Sequence, residues 1–526
     1  MNIISKNKSS RNKIVALSVL GLLLFTASCK KFTEIKPLDG LVEEIAFDTK
    51  SNIELVMNGV YQQAAIGKYN GEGGRGYPFG GASIIQAEMR GEDMVNLQQF
   101  YQITYQATQS TSSANNVNHY ENLYFLINQA NIFIAGVKTA VEKGVLTDAE
   151  EKSYEGEARF LRALAHHELV LNFAKPYADG QGNKPGVPYR TTAIRSTTDF
   201  DDASKVGRGL VSEDYTKILE DLDFAEANLS ATSTNYSRAT KGAAIALKSR
   251  VHLHMGDYSA VIADGAKLGT DASGPAFTSP IGNYKLTDSP DGPFVNYRSN
   301  SESMFSIANS AASNGDVNGA LASMLLPSDL NGRSLVSTSP NLYNASFWVT
   351  GDLRKSLLQV KGSNDGVYYN NKYRDAITKA DWAPIIRYAE VLLNVAEAEA
   401  RSGSAAHAFV LLNAVRNRSV PVASRFTSAP ADLVLAILNE RRVEFAGEGR
   451  RWPDLHRLAV DATYGQGGIP AKLNAGQVTG EVFNETTILT PARAAIAYTD
   501  YRFLWPFPLS EVNSNPLIKA SQNPGY

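Results

Sequence analysis

The chain has 526 residues, 43% of them hydrophobic and 20% charged, with 51 Lys+Arg against 53 Asp+Glu and a single cysteine. That length can bury a large core, whereas near-neutral charge argues against duplex nucleic acid, whose binders need a basic face to displace counterions. One cysteine excludes an internal disulfide and any multi-cysteine metal site, and no stretch reaches the roughly eighteen apolar residues of a membrane-spanning helix.

Residues 1–28 read as a secretory signal peptide. Lys6, Lys8, Arg11 and Lys13 precede an apolar run from Ile14 to Phe25, and Thr26-Ala27-Ser28 stand just before Cys29. The run is too short to span a bilayer comfortably. The only thiol at the cleavage point resembles a bacterial lipobox, in which the cysteine is acylated and becomes the first residue of the mature protein. Cleavage removes four basic residues and no acidic one, leaving 47 basic against 53 acidic side chains, a net of −6. The expectation is lipidation at Cys29 and a protein anchored to a membrane rather than spanning it.

Along the mature chain, a glycine-rich stretch, Gly67–Gly81, carries Tyr69, Arg75, Tyr77 and Phe79; Asp93, Asn96, Gln98, Gln99, Phe100 and Tyr101 follow, and Thr104–Asn118 reads as a polar loop. Leu123–Val141 and Glu151–Phe173 form a first predicted helix pair, with Ala158, Leu161, Ala165 and Leu169 as the stripe of the second helix. In a second pair Ala243, Ala246, Leu247, Val251 and His254 recur at three- and four-residue steps. Gly256-Asp257 breaks the pattern, and Tyr258, Val261, Ile262 and Leu268 resume it. The third pair runs from Arg387 through Tyr388, Val391, Leu392, Val395 and Ala396 to Gly403, then from Ala408 through Leu411 and Leu412 to Val415. Such small-residue-rich hairpins resemble tetratricopeptide units, which stack because neither helix can bury its face alone. Their uneven spacing argues against a free-standing solenoid.

Gly269–Asn300, Asn309–Pro340 and Gly465–Thr490 are long, polar and rich in turn formers, with few charge runs, a composition that favours ordered surface loops. Loops of this length inside a folded chain usually carry function. Strand signals are weak and short. The reading is a mainly α scaffold that displays large loops.

No catalytic constellation emerges. Glu440, Glu444 and Glu448 stand at successive i,i+4 steps, so a helix would place them on one face, as paired carboxylates for glycoside hydrolysis require. Arg441, Arg442, Arg450 and Arg451 crowd the same segment, however, and a carboxylate beside guanidinium is held ionised rather than raised for acid catalysis. The expectation is an ion-paired network pinning the helix, with Phe445 and Trp452 packed beneath. His166-His167 and the pair His252 and His254 have spacings that do not converge on a metal. The chain contains no HExxH, GxSxG or phosphate-binding GxxxxGK[ST] motif. Neither cofactor nor metal is expected.

The segment Glu440-Arg441-Arg442-Val443-Glu444-Phe445-Ala446-Gly447-Glu448-Gly449-Arg450-Arg451-Trp452-Pro453-Asp454-Leu455 resembles the C-terminal motif of the SusD/RagB family, nutrient-capturing surface lipoproteins of Bacteroidota. Leu504-Trp505-Pro506-Phe507-Pro508 and the closing Gln522-Asn523-Pro524-Gly525-Tyr526 agree with it. So do Arg387-Tyr388-Ala389-Glu390-Val391-Leu392-Leu393, Glu157-Ala158-Arg159-Phe160-Leu161-Arg162-Ala163 and the Cys29-Lys30-Lys31-Phe32 start. The resemblance therefore covers essentially the whole mature chain in order. It implies a mainly α SusD-like fold over residues 29–526, with tetratricopeptide-like helix pairs supporting a loop-rich ligand-binding half. The N-terminal family region would cover about 29–230 and the C-terminal region about 300–526. It also implies non-catalytic capture of oligosaccharide or polysaccharide on the outer membrane for a SusC-like TonB-dependent transporter. A peptide-capturing member and a tetratricopeptide-type assembly scaffold are the alternatives; long ordered loops favour a ligand-binding protein, because a pure scaffold would show uninterrupted repeats.

Sugar binding needs flat aromatic faces for pyranose rings and planar amides or guanidinium groups for hydroxyls. By chain position, the family resemblance points to Arg75, Tyr77 and Phe79, to Asp93, Asn96, Phe100 and Tyr101, and to Asn331 and Arg333 with Asn318 nearby. The Asn309–Pro340 loop contains no Trp, Tyr or Phe, unlike many glycan-binding members. Tyr343, Phe347 and Trp348 follow it at a spacing typical of core; Tyr297, Tyr343 and Trp348 are the next candidates for a platform.

Overall fold

The computed structural model describes residues 43–233 and 235–526. The signal segment and Cys29 lie outside the described residues. None of the described helices is long and apolar enough to cross a membrane.

Helix α1, Lys50–Ala65, starts where the Thr49 hydroxyl accepts the Asn52 N–H, and α2 spans Gly81–Met89. The two longest helices are α3, Ala114–Glu142, and α4, Asp148–Phe173, the latter opened by a reciprocal capping box between Thr147 and Glu150. Helix α5, Val211–Asn228, packs on the far side of α4, and α1 leans on α3. Then come α6, Lys241–Met255, and α7, Tyr258–Lys267. Gly256 turns between them with φ +76°, a left-handed conformation that glycine adopts without a Cβ penalty, and Asp257 caps α7 through the Ala260 N–H. Helices α8, Tyr388–Ser402, and α9, Ala405–Arg416, form the last hairpin of the series, against which α10, Leu433–Phe445, and α11, Arg451–Arg457, close the C-terminal side. All three helix pairs expected from periodicity are present.

The helix hairpins bury several charged side chains in matched pairs. Arg162 of α4 donates to both oxygens of Asp221 on α5 at 2.8 and 2.6 Å and to Asn131 Oδ1 on α3 at 2.7 Å. Arg250 of α6 holds Glu390 of α8 at 2.6 and 2.7 Å. Bidentate geometry of this kind repays much of the desolvation of both ions. One apolar core follows the helices from Ala46 to Ile518. Buried His166, His167, His254 and His456 serve as ring-shaped core residues: His166 stacks on Tyr189 at 3.7 Å, and burial drives all four imidazoles toward the neutral form.

The strands are short and antiparallel, in four two-stranded ribbons: β1 Met94–Asn96 with β3 Val336–Thr338, β2 Ser303–Ile307 with β6 Ala383–Arg387, β4 Gln359–Lys361 with β5 Tyr368–Asn370, and β7 Gly468–Ile469 with β8 Ile496–Ala497. The first ribbon matters most for the site. Its register, Met94 opposite Thr338 and Asn96 opposite Val336, ties the segment after α2 to the Asn309–Pro340 loop.

One expectation is corrected. Thr104–Asn118 is not a continuous loop, because residues Gln102–Gln106 are helical and α3 already begins at Ala114. The asparagine-rich first turns of α3 lack strong helix propensity, but tertiary bonds use their amides. Asn118 Oδ1 accepts from Asn70 N, and Asn122 both accepts from Lys68 N and donates to Lys68 O, each at 2.7 Å.

A guanidinium-flanked aromatic and an amide-lined cleft

Those asparagines of α3 clamp the backbone of the glycine-rich loop, and from that loop Arg75 emerges. Its guanidinium lies 3.6 Å from the Tyr69 ring centre and 5.6 Å from that of Phe100. A second guanidinium, Arg333, approaches the same Phe100 ring at 5.4 Å. Arg333 is set in place by its own N–H to Ser323 O, 2.9 Å, and by Nη1 to Asn318 Oδ1, 2.7 Å. The two loops touch directly. A Cβ on Gly319 would meet the Arg75 carbonyl at 2.4 Å, so only glycine permits that approach. Three segments far apart in sequence thus converge on one half-exposed phenylalanine.

The residues that flank Phe100 in sequence line a cleft of about 1000 Å³, whose polar walls are Asn96, Gln98, Gln99, Gln102, Gln106, Asn474 and Arg493. Asn96 Nδ2 donates to Gln102 Oε1 at 2.9 Å, which fixes one amide of the row. Gln106, with its amide turned so that the oxygen faces both Gln102 and Arg493, accepts from Gln102 Nε2 and from Arg493 Nη2 and Nη1, the latter two at 2.8 and 3.1 Å. A smaller adjoining recess of about 260 Å³ shares Tyr105, Gln106 and Arg493 and reaches Lys472. Lys472 donates from Nζ to Tyr105 O at 3.2 Å, and burial, reinforced by Arg90, lowers its pKa to about 7. Amides and guanidinium groups on an open rim, with an aromatic edge, can bind hydroxylated rings; they cannot by themselves move a proton or attack a bond.

The structure sorts the expected site residues by burial. Arg75, Phe100 and Arg333 come together, with Tyr69 and Asn318, and Asn331 is exposed at a left-handed turn of the Arg333 loop, φ +63°. The others are corrected. Tyr77 is 1% exposed, its hydroxyl accepts from Gln86 Nε2, and its ring packs edge-on against His119. Phe79 is a core residue at 5%. Tyr101, 1% exposed, donates to Met324 Sδ at 2.9 Å. The Asp93 carboxylate is taken by the Arg442 guanidinium, with Nε at 3.0 and 3.2 Å, and Asn96 is occupied with its neighbours in the amide row. Tyr77, Phe79, Tyr101 and Asp93 present no free face, whereas Asn96, though buried, lines the cleft with its Oδ1 unpartnered. Tyr343 and Trp348 are buried, as their spacing indicated.

The residues missed by sequence reasoning are Gln102, Gln106, Asn474 and Arg493. A signal existed for the first two, since residues 98, 102 and 106 are all glutamine at four-residue steps and a helix would align them. Arg493 reaches the cleft through backbone pairing with Lys472, which no local pattern announces.

Glu440, Glu444 and Glu448 are 2–4% exposed and fully ion-paired, but not with the arginines beside them in sequence. Arg354 Nη1 reaches Glu440 at 2.6 Å and Glu444 at 3.0 Å; Arg416 pairs with Glu440, and Arg418 bridges Glu444 and Glu302 at 2.5 Å each. Arg387 binds Glu448, Glu444 and Glu302, and Lys372 Nζ binds Glu448 at 2.6 Å. Arg441 instead pairs with Asp454, and Arg442 and Arg451 with Glu92 and Asp93. The reason is helical geometry: adjacent residues point about 100° apart, so a carboxylate face recruits partners from other elements. Burial opposes ionisation of Glu444, but Arg418, Arg387, Arg354 and Lys372 outweigh it and hold its pKa at about 2. Phe445 and Trp452 are buried beneath.

Comparison with known proteins agrees with this architecture. Residues 331–526 match the family model described as the SusD family, and residues 32–253 match the one described as starch-binding associating with outer membrane. A SusD-like protein of Formosa agariphila is 24% identical over 498 residues, covering 86% of this chain and 92% of its own. The crystal structure of a SusD superfamily protein from Bacteroides fragilis superposes with a TM-score of 0.72 at 26% identity, over 89% of this chain and 99% of that one. A solved structure described as a laminarin-binding SusD-like protein shares the fold at 21% identity and a TM-score of 0.65, over 91% of this chain and 100% of its own. With two family models in succession, a matching fold and the expected motifs in order, this chain belongs to the SusD/RagB family.

Proposed function

We propose that this protein is a non-catalytic, lipid-anchored glycan receptor of the outer-membrane surface, which hands oligosaccharide or polysaccharide to a SusC-like TonB-dependent transporter. The observation that carries the reading is the half-exposed Phe100 ring, flanked by Arg75 and Arg333, on a segment whose neighbouring glutamines line an open, amide-rich cleft. Stacking on an apolar sugar face and planar hydrogen bonding to hydroxyls need those groups and no others. The laminarin-binding description of one fold relative and the starch-binding description of the N-terminal family model point the same way. The best-aligned carboxylates are locked in ion pairs, which supports binding without hydrolysis. Anchoring at Cys29 and delivery to a transporter follow from the signal segment and family membership.

The test is affinity electrophoresis of residues 30–526 through gels containing single polysaccharides, laminarin and amylopectin among them. Retardation by at least one glycan is expected. Phe100→Ala should weaken it about tenfold, since a stacked aromatic contributes on the order of 1–2 kcal/mol. Retardation by none, or an unaltered Phe100→Ala variant, would remove this reading.

A further inference from the structure

Most arginines of this protein face carboxylates: Arg159, Arg162, Arg238, Arg250, Arg354 and Arg387 all do. The binding face departs from that rule. Arg75 makes ring contacts to Tyr69 and Phe100, Arg333 is held by the neutral Asn318 amide, and Arg493 by the neutral Gln106 amide. Among the described residues no carboxylate lies within ion-pair distance of any of the three, and Arg493 Nε is buried with no partner. Residues 94–120, which supply Phe100 and the glutamine row, contain neither Asp nor Glu, and Glu92 just before them is engaged by Arg451 and Arg442. Lys472, which lines the recess together with Arg493, likewise donates to backbone carbonyls rather than to an acid.

Arg208 and Arg425 are likewise held by neutral amide or carbonyl oxygens elsewhere, so what sets this region apart is the grouping of three such arginines. Arg pairs readily and bidentately with carboxylates, and this chain has 53 acidic side chains available. A neutral amide holds a guanidinium in position while leaving its charge uncancelled, which is what a site for an incoming anion requires. Three such groups stand around one aromatic and one amide row, in a chain whose mature net charge is −6. A uniformly acidic protein would repel a polyanion; a local cationic strip draws it to one place.

Resting on the receptor reading above, we propose that the ligand is an acidic glycan, bearing uronate carboxylates or sulfate esters, whose anions sit on Arg493, Arg333 and Arg75 while a ring stacks at Phe100 and hydroxyls engage Gln98 to Gln106. Uronate and sulfate share the recognising chemistry, a planar or trigonal array of anionic oxygens matched to the guanidinium fork.

Calorimetric titration of residues 30–526 separates the possibilities, using alginate for the carboxylate, κ-carrageenan for the sulfate and laminarin for a neutral glycan, each at 50 and 300 mM NaCl. Binding of alginate or carrageenan at least tenfold tighter than laminarin, weakened several-fold at the higher salt, is expected. Arg493→Gln and Arg333→Gln should each cost about tenfold toward the acidic polymer, and carboxyl-reduced alginate or desulfated carrageenan should bind parent and variants alike. Arg425→Gln, at an exposed arginine between α9 and α10 that donates to Asn417 O, should bind like the parent. Laminarin bound as tightly as the acidic polymers, or Arg493→Gln and Arg333→Gln both indistinguishable from the parent, overturns the inference while leaving glycan capture intact. Poly-L-glutamate bound as tightly as alginate also overturns it, since charge alone would then be read. Failure of all three glycans overturns the receptor reading and this inference together.

Discussion

Replacing Glu444 by Gln perturbs the most highly charged interior region of the protein. Five cations, Arg354, Lys372, Arg387, Arg416 and Arg418, face five anions, Glu302, Asp352, Glu440, Glu444 and Glu448, so the cluster is neutral as a whole. Glu444 alone accepts from Arg354 at 3.0 Å, Arg387 at 3.1 Å and Arg418 at 2.5 Å. Glu444→Gln preserves shape, deletes one charge and strands a buried positive charge. The folded-state pKa of about 2 against the ordinary 4.5 corresponds to about 3 kcal/mol at neutral pH, and breaking buried pairs generally costs about 3–5 kcal/mol. Urea denaturation at pH 7 should therefore show a loss of about 3 kcal/mol. Adding Arg418→Gln restores neutrality, so the double variant should lose less than the two single losses added together, by about 1 kcal/mol or more. Folded Glu444→Gln should retain glycan binding, and neither it nor the parent should release reducing sugar from a bound glycan. A loss below about 1 kcal/mol, or a hydrolytic activity that vanishes in this variant, would refute the structural role.

The stability–pH profile should fall on both sides. Glu92, Glu168 and Glu444 have pKa values held near 2, each against the opposing effect of burial, by Arg451 and Arg442, by His119, and by Arg418 and Arg387 respectively; their contribution is complete above about pH 4.5 and is lost as pH falls toward 2. Burial raises Glu88 to about 8 and Asp214 to about 7; their contribution is complete below about pH 4 and is lost as pH rises through 7–8, so urea midpoints should peak near pH 5 and Glu88→Gln should flatten the alkaline decline. A profile flat from pH 3 to 8 would contradict these assignments. Tyr101→Ala should cost about 3–5 kcal/mol in urea because the ring is 1% exposed, while Tyr101→Phe, losing only the bond to Met324, should cost about 1 or less; equal losses would place the energy in the hydroxyl. Cys29→Ala should move the protein from the membrane fraction to the soluble fraction of cells, and unchanged partitioning would exclude the lipid anchor.

The amino-acid sequence by itself determined the helix hairpins, because their signal is local. The break at Gly256-Asp257 and the stripes at Val391, Leu392 and Val395 depend only on residues within two turns, where helical periodicity and capping act. It also determined the family, since the motifs around Glu440–Leu455 and Leu504–Pro508 lie in order along one chain. What tertiary structure alone decided was which side chains face solvent. Tyr77 and Phe100 are equally aromatic and both sit in loop-like sequence, yet His119 and Gln86 enclose the first, while the second, packed on one side against Tyr101, stays half-exposed beside two guanidinium groups from distant segments. Charge partners were hidden for the same reason: Glu444 ignores Arg441 one helical face away and binds Arg354, Arg387 and Arg418 from other elements. Arg493 enters the cleft through the pairing of residues 472 and 493. Burial and ion pairing are sums over neighbours brought together from across the chain, whereas periodicity is a property of neighbours along it, and so the scaffold was legible where the binding face was not.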